Sequence, residues 1–317
     1  PLAFYVTTAR DLMEPDPAAP IDAHAWTIFA VDEFTREIPP DGPPSHHRRQ
    51  LIQTLQGLQP IAGADREVDL IGRHQPRLSK VYEGSQAHEG NLRALSPPPG
   101  VLHLVTHGFF LPGAEETRPR LTDFDEAPDK LKRSGLVLGN VRLSEDSNSD
   151  DILFAEDVAR LNLNGTRLVT LSSCDSGLGE ELAGEGVLGL RRGFALAGAR
   201  NQFLSLWPVS DDSTPDFMDR FYQLAVHTDH PAQAAWETQR EFLTTAEPND
   251  EQSLEEAVLR YGPFVLCQRE ALRPRVASLP PPRRQFSHLP PILAGGAVAL
   301  LVIGLLHWAA RARSSNT

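Results

Sequence analysis

A histidine and a cysteine, far apart in the sequence, each follow a short apolar run with the character of a buried strand. His107 follows VLHLVT at residues 101–106, and Cys174 follows RLVTLSS at residues 167–173. A thiol beside an imidazole can lose its proton, which gives a strong nucleophile with an acid–base partner in place. The two residues therefore predict a His/Cys dyad, provided that the two strands are neighbours. The alternatives are a polar surface or core histidine and a small buried cysteine.

Both residues have to be positioned by elements that alternate between strand and helix along the chain. Apolar runs predict strands at 26–31, 101–106, 136–138, 167–172, 202–206 and 263–267. Helices are predicted at 45–58, 63–72, 155–161 and 186–198, with two or three more between 214 and 261. Such alternation is typical of a mainly parallel sheet with helices on both faces. Active residues of these sheets gather at the carboxyl ends of the strands, where His107 and Cys174 are expected.

Three longer segments resemble a known family of bacterial cysteine peptidases. The runs VLHLVTHGFF, LVTLSSCDSGLGE and GEGVLGLRRGFALAGARNQFLSLWPVSDDST, in this order, resemble the CHAT domain, which is caspase-like and similar to separases. FMDRFYQLA and YGPFVL fit the C-terminal helices and final strand of that family. The resemblance covers about residues 58–268 of a predicted domain 1–270. It implies an α/β fold, a caspase-like three-layer α/β/α sandwich with a mainly parallel sheet.

The resemblance also assigns roles to individual residues. It puts the catalytic histidine on His107, the catalytic cysteine on Cys174, and the oxyanion-hole donors on the backbone N–H groups of Gly108 and Cys174, which would stabilise the tetrahedral intermediate. Ser173 departs from the pattern, which more often has alanine or a similar small residue there. The sequence does not identify the group that orients His107, although a backbone carbonyl would serve. Neither a cofactor nor a metal ion is implied.

Acidic residues near the predicted site suggest a substrate pocket. Asp211 and Asp212 follow SLWPVS, where caspase-like folds build the pocket for the residue before the cleaved bond. An acidic wall there would favour arginine or lysine through charge-assisted hydrogen bonds. Asp175, in the turn after the nucleophile, is a further candidate for this pocket. The alternative for Asp211 or Asp212 is that one of them caps the helix beginning near Thr214.

The charge is unevenly distributed. The formal net charge is −12, which argues against a dedicated nucleic-acid binder because such proteins neutralise phosphates with basic clusters. Residues 271–317 contain six arginines and no Asp or Glu, so residues 1–270 carry −18. An acidic body joined to a basic tail suggests contact with a membrane surface.

The tail itself predicts a membrane anchor. Ile292–Ala310 is a 19-residue stretch without formal charge, and as a helix it spans roughly 28 Å, close to the hydrocarbon core of a bilayer. The alternative is a buried core helix. Residues 271–291 contain six prolines and predict an extended linker, and residues 311–317 form a short basic tail. More arginines precede the span than follow it, which favours a single-pass membrane protein with a cytoplasmic peptidase domain.

These features predict a membrane-tethered cysteine endopeptidase that cleaves a protein or peptide partner, in bacterial signalling or defence. The alternative is a catalytically silent CHAT-fold scaffold that binds partners at the membrane. Gly295 and Ala299 form a small-xxx-small pair, so self-association or an activating partner is a further expectation. Cys267, the other cysteine, lies in an apolar run and is expected to be inert packing.

Overall fold

The structure, a computed structural model of the chain, describes residues 25–32, 35–37, 46–75, 80–111, 131–142, 151–172, 183–227, 230–245 and 250–268. The chain divides into two compact units, Pro1–Ala271 and Leu272–Thr317, and the described residues all belong to the first. The predicted linker and the predicted membrane helix Ile292–Ala310 lie outside the described residues. Within the described ranges, no helix has both the length and the apolar character needed to span a bilayer.

Short apolar runs form the strands, and amphipathic runs form the helices between them. The described strands are β1 (Trp26–Ala30), β2 (Thr35–Glu37), β3 (Lys80–Glu83), β4 (Val101–Val105), β5 (Gly108–Phe110), β6 (Ser134–Val137), β7 (Asn140–Arg142), β8 (Ile152–Phe154), β9 (Leu168–Leu171), β10 (Asn201–Ser205) and β11 (Phe264–Gln268). The described α-helices are α1 (His46–Gly57), α2 (Ala64–Gly72), α3 (Glu89–Arg93), α4 (Ala155–Val158), α5 (Ala183–Ala197), α6 (Thr214–Ala225), α7 (Pro231–Leu243) and α8 (Glu251–Tyr261).

A six-stranded sheet in the order β11-β10-β9-β4-β1-β3 forms the centre of the described unit. Its strands pair in parallel, except that β11 is antiparallel to β10 at one edge. All five residues of β1 and of β4 are buried, as expected for central strands covered on both faces. The prediction of a mainly parallel sheet is therefore confirmed.

Helices α2, α6 and α7 cover one face of this sheet. Their apolar side chains pack on the odd-numbered residues of β4 and on Phe203 of β10. The ring of Phe203 stacks on Phe221 of α6 with centroids 4.2 Å apart, and Phe217 of the same helix stacks on Phe264 at 4.4 Å. This aromatic layer anchors α6 against the end of the sheet that β10 and β11 form.

The opposite face of the sheet is covered by α4, α5 and a second, smaller sheet. Helix α5 buries Leu190, Phe194 and Ala197, whose spacings of four and three residues put them on one face of the helix. The smaller sheet is antiparallel, with the order β5-β6-β8, and β2 pairs with β7 in a separate two-stranded ladder. Helices on both faces of the main sheet confirm the predicted layering. The smaller sheet was foreseen only in part, through a predicted strand at 136–138.

Candidate active site

The two strands that precede His107 and Cys174 are neighbours in the sheet. Strand β4 pairs in parallel with β9, and Leu104 is level with Leu171. The ladder continues past β9, because the Ser172 backbone N–H donates to the Leu104 carbonyl at 3.2 Å. The condition on which the dyad depended is thus met by the register. Cys174 itself, three residues after Leu171, lies outside the described residues, as does Asp175.

His107 lies just beyond the carboxyl end of β4, with 4% of its surface exposed. Its Nε2 atom is 2.6 Å from the backbone carbonyl oxygen of Gln59. Because a carbonyl oxygen only accepts hydrogen bonds, Nε2 must carry the proton and donate it. The neutral ring then has its lone pair on Nδ1, the nitrogen that could act as a base.

Gln59 is held in the connection between α1 and α2. In this connection, Leu58 and Ile61 are buried, and the Ile61 N–H donates to the carbonyl of Asp32, just after β1, at 3.1 Å. The carbonyl that orients His107 therefore belongs to a segment fixed on both sides of the contact. Sequence reasoning allowed for a backbone carbonyl but could not assign it, because every residue has one and no side-chain pattern marks it.

Gly108 directs the chain away from the main sheet immediately after His107. It begins β5, which pairs antiparallel with β6 so that Gly108 is level with Leu136. The carbonyl of His107 accepts from the Val137 N–H at 2.9 Å, and the Thr106 hydroxyl donates to the Val137 carbonyl. Strand β6 thus fixes the backbone on both sides of the histidine, including the N–H group expected to serve as an oxyanion donor.

Asp211 and Asp212 lie in the turn between β10 and α6, at the same sheet edge as His107. The backbone of Asp211 packs closely on Gly63, since a Cβ atom built there would lie 2.2 Å from the Asp211 carbonyl oxygen. The connection that carries Gln59 therefore also contacts this turn. Asp212 is exposed, and its carbonyl accepts from Arg66 Nη1 at 3.3 Å.

The capping interpretation of these aspartates is not supported. The residue at the cap position of α6 is Ser213, and its side chain makes no capping hydrogen bond. The first turn is instead tied by Thr214, whose hydroxyl donates to the Ser210 carbonyl at 2.8 Å. Neither aspartate therefore occupies the cap position itself.

A family model described as the CHAT domain matches residues 4–290 of the chain. The chain belongs to the CHAT domain family. This match includes every described residue and extends beyond the resemblance seen over residues 58–268. The family is associated with caspase-like cysteine peptidases. The search of curated proteins found no match.

Two buried hydroxyl groups of this CHAT domain lie at the carboxyl ends of β9 and β10, and sequence reasoning missed both. Ser205 ends β10 and Ser172 follows β9, and the register of Leu204 with Leu171 places the two serines side by side. Both side chains are fully buried, and neither hydroxyl has a hydrogen-bond partner within the described ranges. Buried polar groups normally have hydrogen-bond partners, so this pair indicates that a ligand could bind at this edge of the sheet.

The other cysteine of the CHAT domain lies in a different environment from the strand ends. Cys267 on β11 is buried, and the burial raises the pKa of its thiol although Arg191 Nη1 lies 3.9 Å from the sulfur. A raised pKa keeps the thiol protonated at neutral pH, and the protonated form is the unreactive one. Cys267 therefore has the properties of a packing residue.

Proposed function

We propose that this CHAT domain is a cysteine endopeptidase in which His107 and Cys174 form the catalytic dyad. The observation that carries the proposal is the parallel pairing of β4 with β9, in which Leu104 and Leu171 are level. His107 and Cys174 each follow their member of this pair by three residues. Three residues of extended chain reach at most about 10 Å, so both side chains would lie within that distance of the paired strand ends.

The chemistry would be acyl transfer. His107 Nδ1 accepts the proton of the Cys174 thiol, and the thiolate forms a bond from Sγ to the scissile carbonyl carbon. The imidazolium returns this proton to the leaving amine as the C–N bond breaks, and water then hydrolyses the thioester. The carbonyl of Gln59 keeps the Nε2 proton in place throughout, and it stabilises the imidazolium more than the neutral ring because the charged donor bonds more strongly. The N–H groups of Gly108 and Cys174 would receive the negative charge on oxygen.

The substrate preference we propose is arginine or lysine before the cleaved bond. Asp211 and Asp212 supply acidic groups at the carboxyl end of β10, and Asp175 adds a third beside the nucleophile. The hydroxyls of Ser172 and Ser205, which have no hydrogen-bond partner among the described residues, lie at the ends of the same group of strands. The acidic body of the protein would attract such substrates over longer distances.

We further propose that the peptidase is tethered to a membrane by Ile292–Ala310, with the domain on the cytoplasmic side. The support is the sequence alone: an uncharged 19-residue stretch flanked by arginines. Tethering would bring the domain to a protein substrate, and clustering or an activating partner would regulate it.

The test is labelling by a peptidyl acyloxymethyl ketone with arginine at the position next to the reactive group, at neutral pH. We expect the full chain to be labelled, Cys174→Ala to lose the label, and Cys267→Ala to keep it as the matched cysteine control. A chain without residues 292–310 should be labelled equally well in detergent but should leave the membrane fraction of cells. Labelling that survives Cys174→Ala would refute the peptidase and favour the scaffold.

A further inference from the structure

A chain of hydrogen-bonded polar side chains crosses the interior between the main sheet and helices α2 and α6. His103 of β4 has its Nε2 atom 2.9 Å from Glu67 Oε1 of α2 and its Nδ1 atom 2.9 Å from the Tyr222 hydroxyl of α6. The same hydroxyl is 2.8 Å from the hydroxyl of Thr170 on β9. At most 2% of each of these four residues is exposed, so the network is closed to solvent.

The donors and acceptors of this network form one consistent sequence. With Glu67 ionised and His103 neutral, the Nε2–H of His103 donates to Glu67 and Nδ1 accepts from the Tyr222 hydroxyl. The Tyr222 oxygen in turn accepts from Thr170, and burial raises the pKa of Tyr222, which keeps it a donor. Four elements are thereby connected through groups that would be costly to leave unpaired.

This network and the Gln59 contact join the same two stretches of chain at two points. His103 and His107 are four residues apart on β4 and its continuation, while Glu67 and Gln59 lie on α2 and the connection that precedes it. The first contact is side chain to side chain, deep in the interior. The second is His107 Nε2 to the Gln59 carbonyl, at the sheet edge. Any shift of α2 along β4 would therefore change both contacts together.

The rest of the interface between α2 and the sheet is apolar. Ala64, Val68 and Ile71 of α2 pack on aliphatic and aromatic side chains of the strands. Apolar contacts are not directional, so they permit a helix to shift with little loss of free energy, whereas a buried polar pair specifies one position. Arg66 of α2 pairs with Asp216, and His74, just after α2, contacts Asp219; both partners lie on α6 rather than on the sheet, and the Arg66–Asp216 pair is about half exposed.

We propose that Glu67 and His103 are positioning residues, which fix α2 on β4 and so hold the Gln59 carbonyl where it selects the Nε2-protonated form of His107. The inference rests on the proposed function only for its effect on catalysis. Its structural part, that the Gln59 carbonyl selects the ring nitrogen of His107 that carries the proton, does not depend on the proposed function. Both residues act through the position of the connection that carries Gln59.

The test compares three variants of the full chain. Glu67→Gln keeps an acceptor at the same reach, Glu67→Leu removes it, and Glu67→Leu with His103→Leu replaces the pair by apolar side chains that pack together. Three quantities are measured: the midpoint of thermal unfolding, the tautomer of His107 from the ¹⁵N chemical shifts of labelled histidine, and the rate and pH profile of alkylation by iodoacetamide at Cys174.

A positioning role separates these quantities in the double variant. We expect its unfolding midpoint to recover to within about 4 °C of the parent. The His107 ring should nevertheless become a mixture of tautomers, and alkylation should slow by about tenfold or more with an altered pH profile. Glu67→Gln should match the parent in all three. If the double variant recovers the tautomer and the rate along with the midpoint, Glu67 and His103 are structural only and the proposal is overturned.

Two further results keep the outcome decisive. If the double variant does not fold, Glu67→Asp replaces it, because the shorter side chain moves the carboxylate away from His103 Nε2. The proposal would be overturned if Glu67→Asp and Glu67→Gln gave the same fraction of each His107 tautomer. If the tautomer shifts as expected but the parent Cys174 reacts no faster than a simple thiol, the positioning inference survives and the peptidase does not.

Discussion

His103 lies in β4, and His107 follows the end of the same strand. Both are nearly inaccessible to water, with 0% and 4% of their surfaces exposed, yet their surroundings differ. His103 lies within β4, level with Thr170 of β9, and side chains of two helices occupy both of its ring nitrogens. His107 lies past the end of the strand, and a backbone carbonyl holds its Nε2. The first is part of the interior network, and the second is the predicted catalytic residue.

This difference shows that burial alone does not separate a histidine of the interior network from one at the sheet edge. What distinguishes them is the strand position and the kind of partner. Within a covered strand, a polar side chain must be satisfied by neighbouring elements, and His103 is. Beyond the strand's carboxyl end, the chain leaves the sheet at Gly108, and a side chain there faces the edge where ligands of parallel sheets bind.

The largest expected effect comes from the same substitution at the two positions. His107→Gln keeps an N–H that can donate to the Gln59 carbonyl but removes the base. Labelling of Cys174 should therefore fall by about 10²–10⁴-fold, with the free energy of unfolding within about 1 kcal/mol of the parent. His103→Gln replaces the ring by a flexible chain whose amide donor and acceptor lack the fixed geometry of the ring nitrogens, so it should weaken the contacts with Glu67 and Tyr222 and cost about 1–3 kcal/mol of stability while labelling falls less. Denaturant titration and probe labelling measure both.

The opposite result for the two substitutions would contradict this comparison. If His103→Gln removed labelling and left stability unchanged, the interior network would contain the reactive group, and His107 would be the structural residue.

The sequence predicted that His107 and Cys174 follow two buried strands, because apolar runs and the glycine after His107 are local signals. The structure places His107 just after β4 and pairs β4 with β9, whereas the position of Cys174 stays a prediction. Gln59 could not be predicted, because its backbone carbonyl carries no residue-specific signal. Glu67 could not be paired with His103 either, since 36 residues separate them and only the fold joins them.

The smaller sheet illustrates a second limit. Strands such as β5 and β8 have three residues each, too few for an alternating pattern to be visible. Their apolar side chains are buried by contacts with α1 and with each other, which are set by the tertiary fold. Cys174, Asp175 and the tail beyond Gln268 stay predictions, because they lie outside the described residues.

A smaller effect is expected at Gly63, where the connection carrying Gln59 meets the turn of Asp211. Gly63 has φ −88°, which alanine also adopts, so the added Cβ acts only through its 2.2 Å approach to the Asp211 carbonyl oxygen. We expect Gly63→Ala to cost about 1–3 kcal/mol of stability and to slow labelling by about 10–100-fold through displacement of the Gln59 carbonyl.

The matched control is Gly57→Ala at the end of α1, where an added Cβ meets nothing within 4 Å. This variant should label at the parental rate. Equal rates for the two variants would mean that the connection does not transmit its position to His107.

The smallest effect concerns Tyr222 of the His103 network and the pH dependence of stability. Tyr222→Phe keeps the ring but leaves His103 and Thr170 without their shared hydroxyl, so the free energy of unfolding at pH 7 should fall by about 1–2 kcal/mol. Burial raises the pKa of Tyr222 in the folded protein, whereas an unfolded tyrosine ionises near pH 10. The stabilising contribution is therefore complete below about pH 10 and is lost as the pH rises further, because the unfolded state releases the proton first. Phenylalanine cannot titrate, so the difference in free energy of unfolding between the parent and the variant should narrow between about pH 9 and 11. The thiol of Cys267, whose pKa is also raised, contributes equally in both chains. Urea unfolding across this range measures the difference, and a constant gap would mean that the Tyr222 hydroxyl does not take part in the buried network as described.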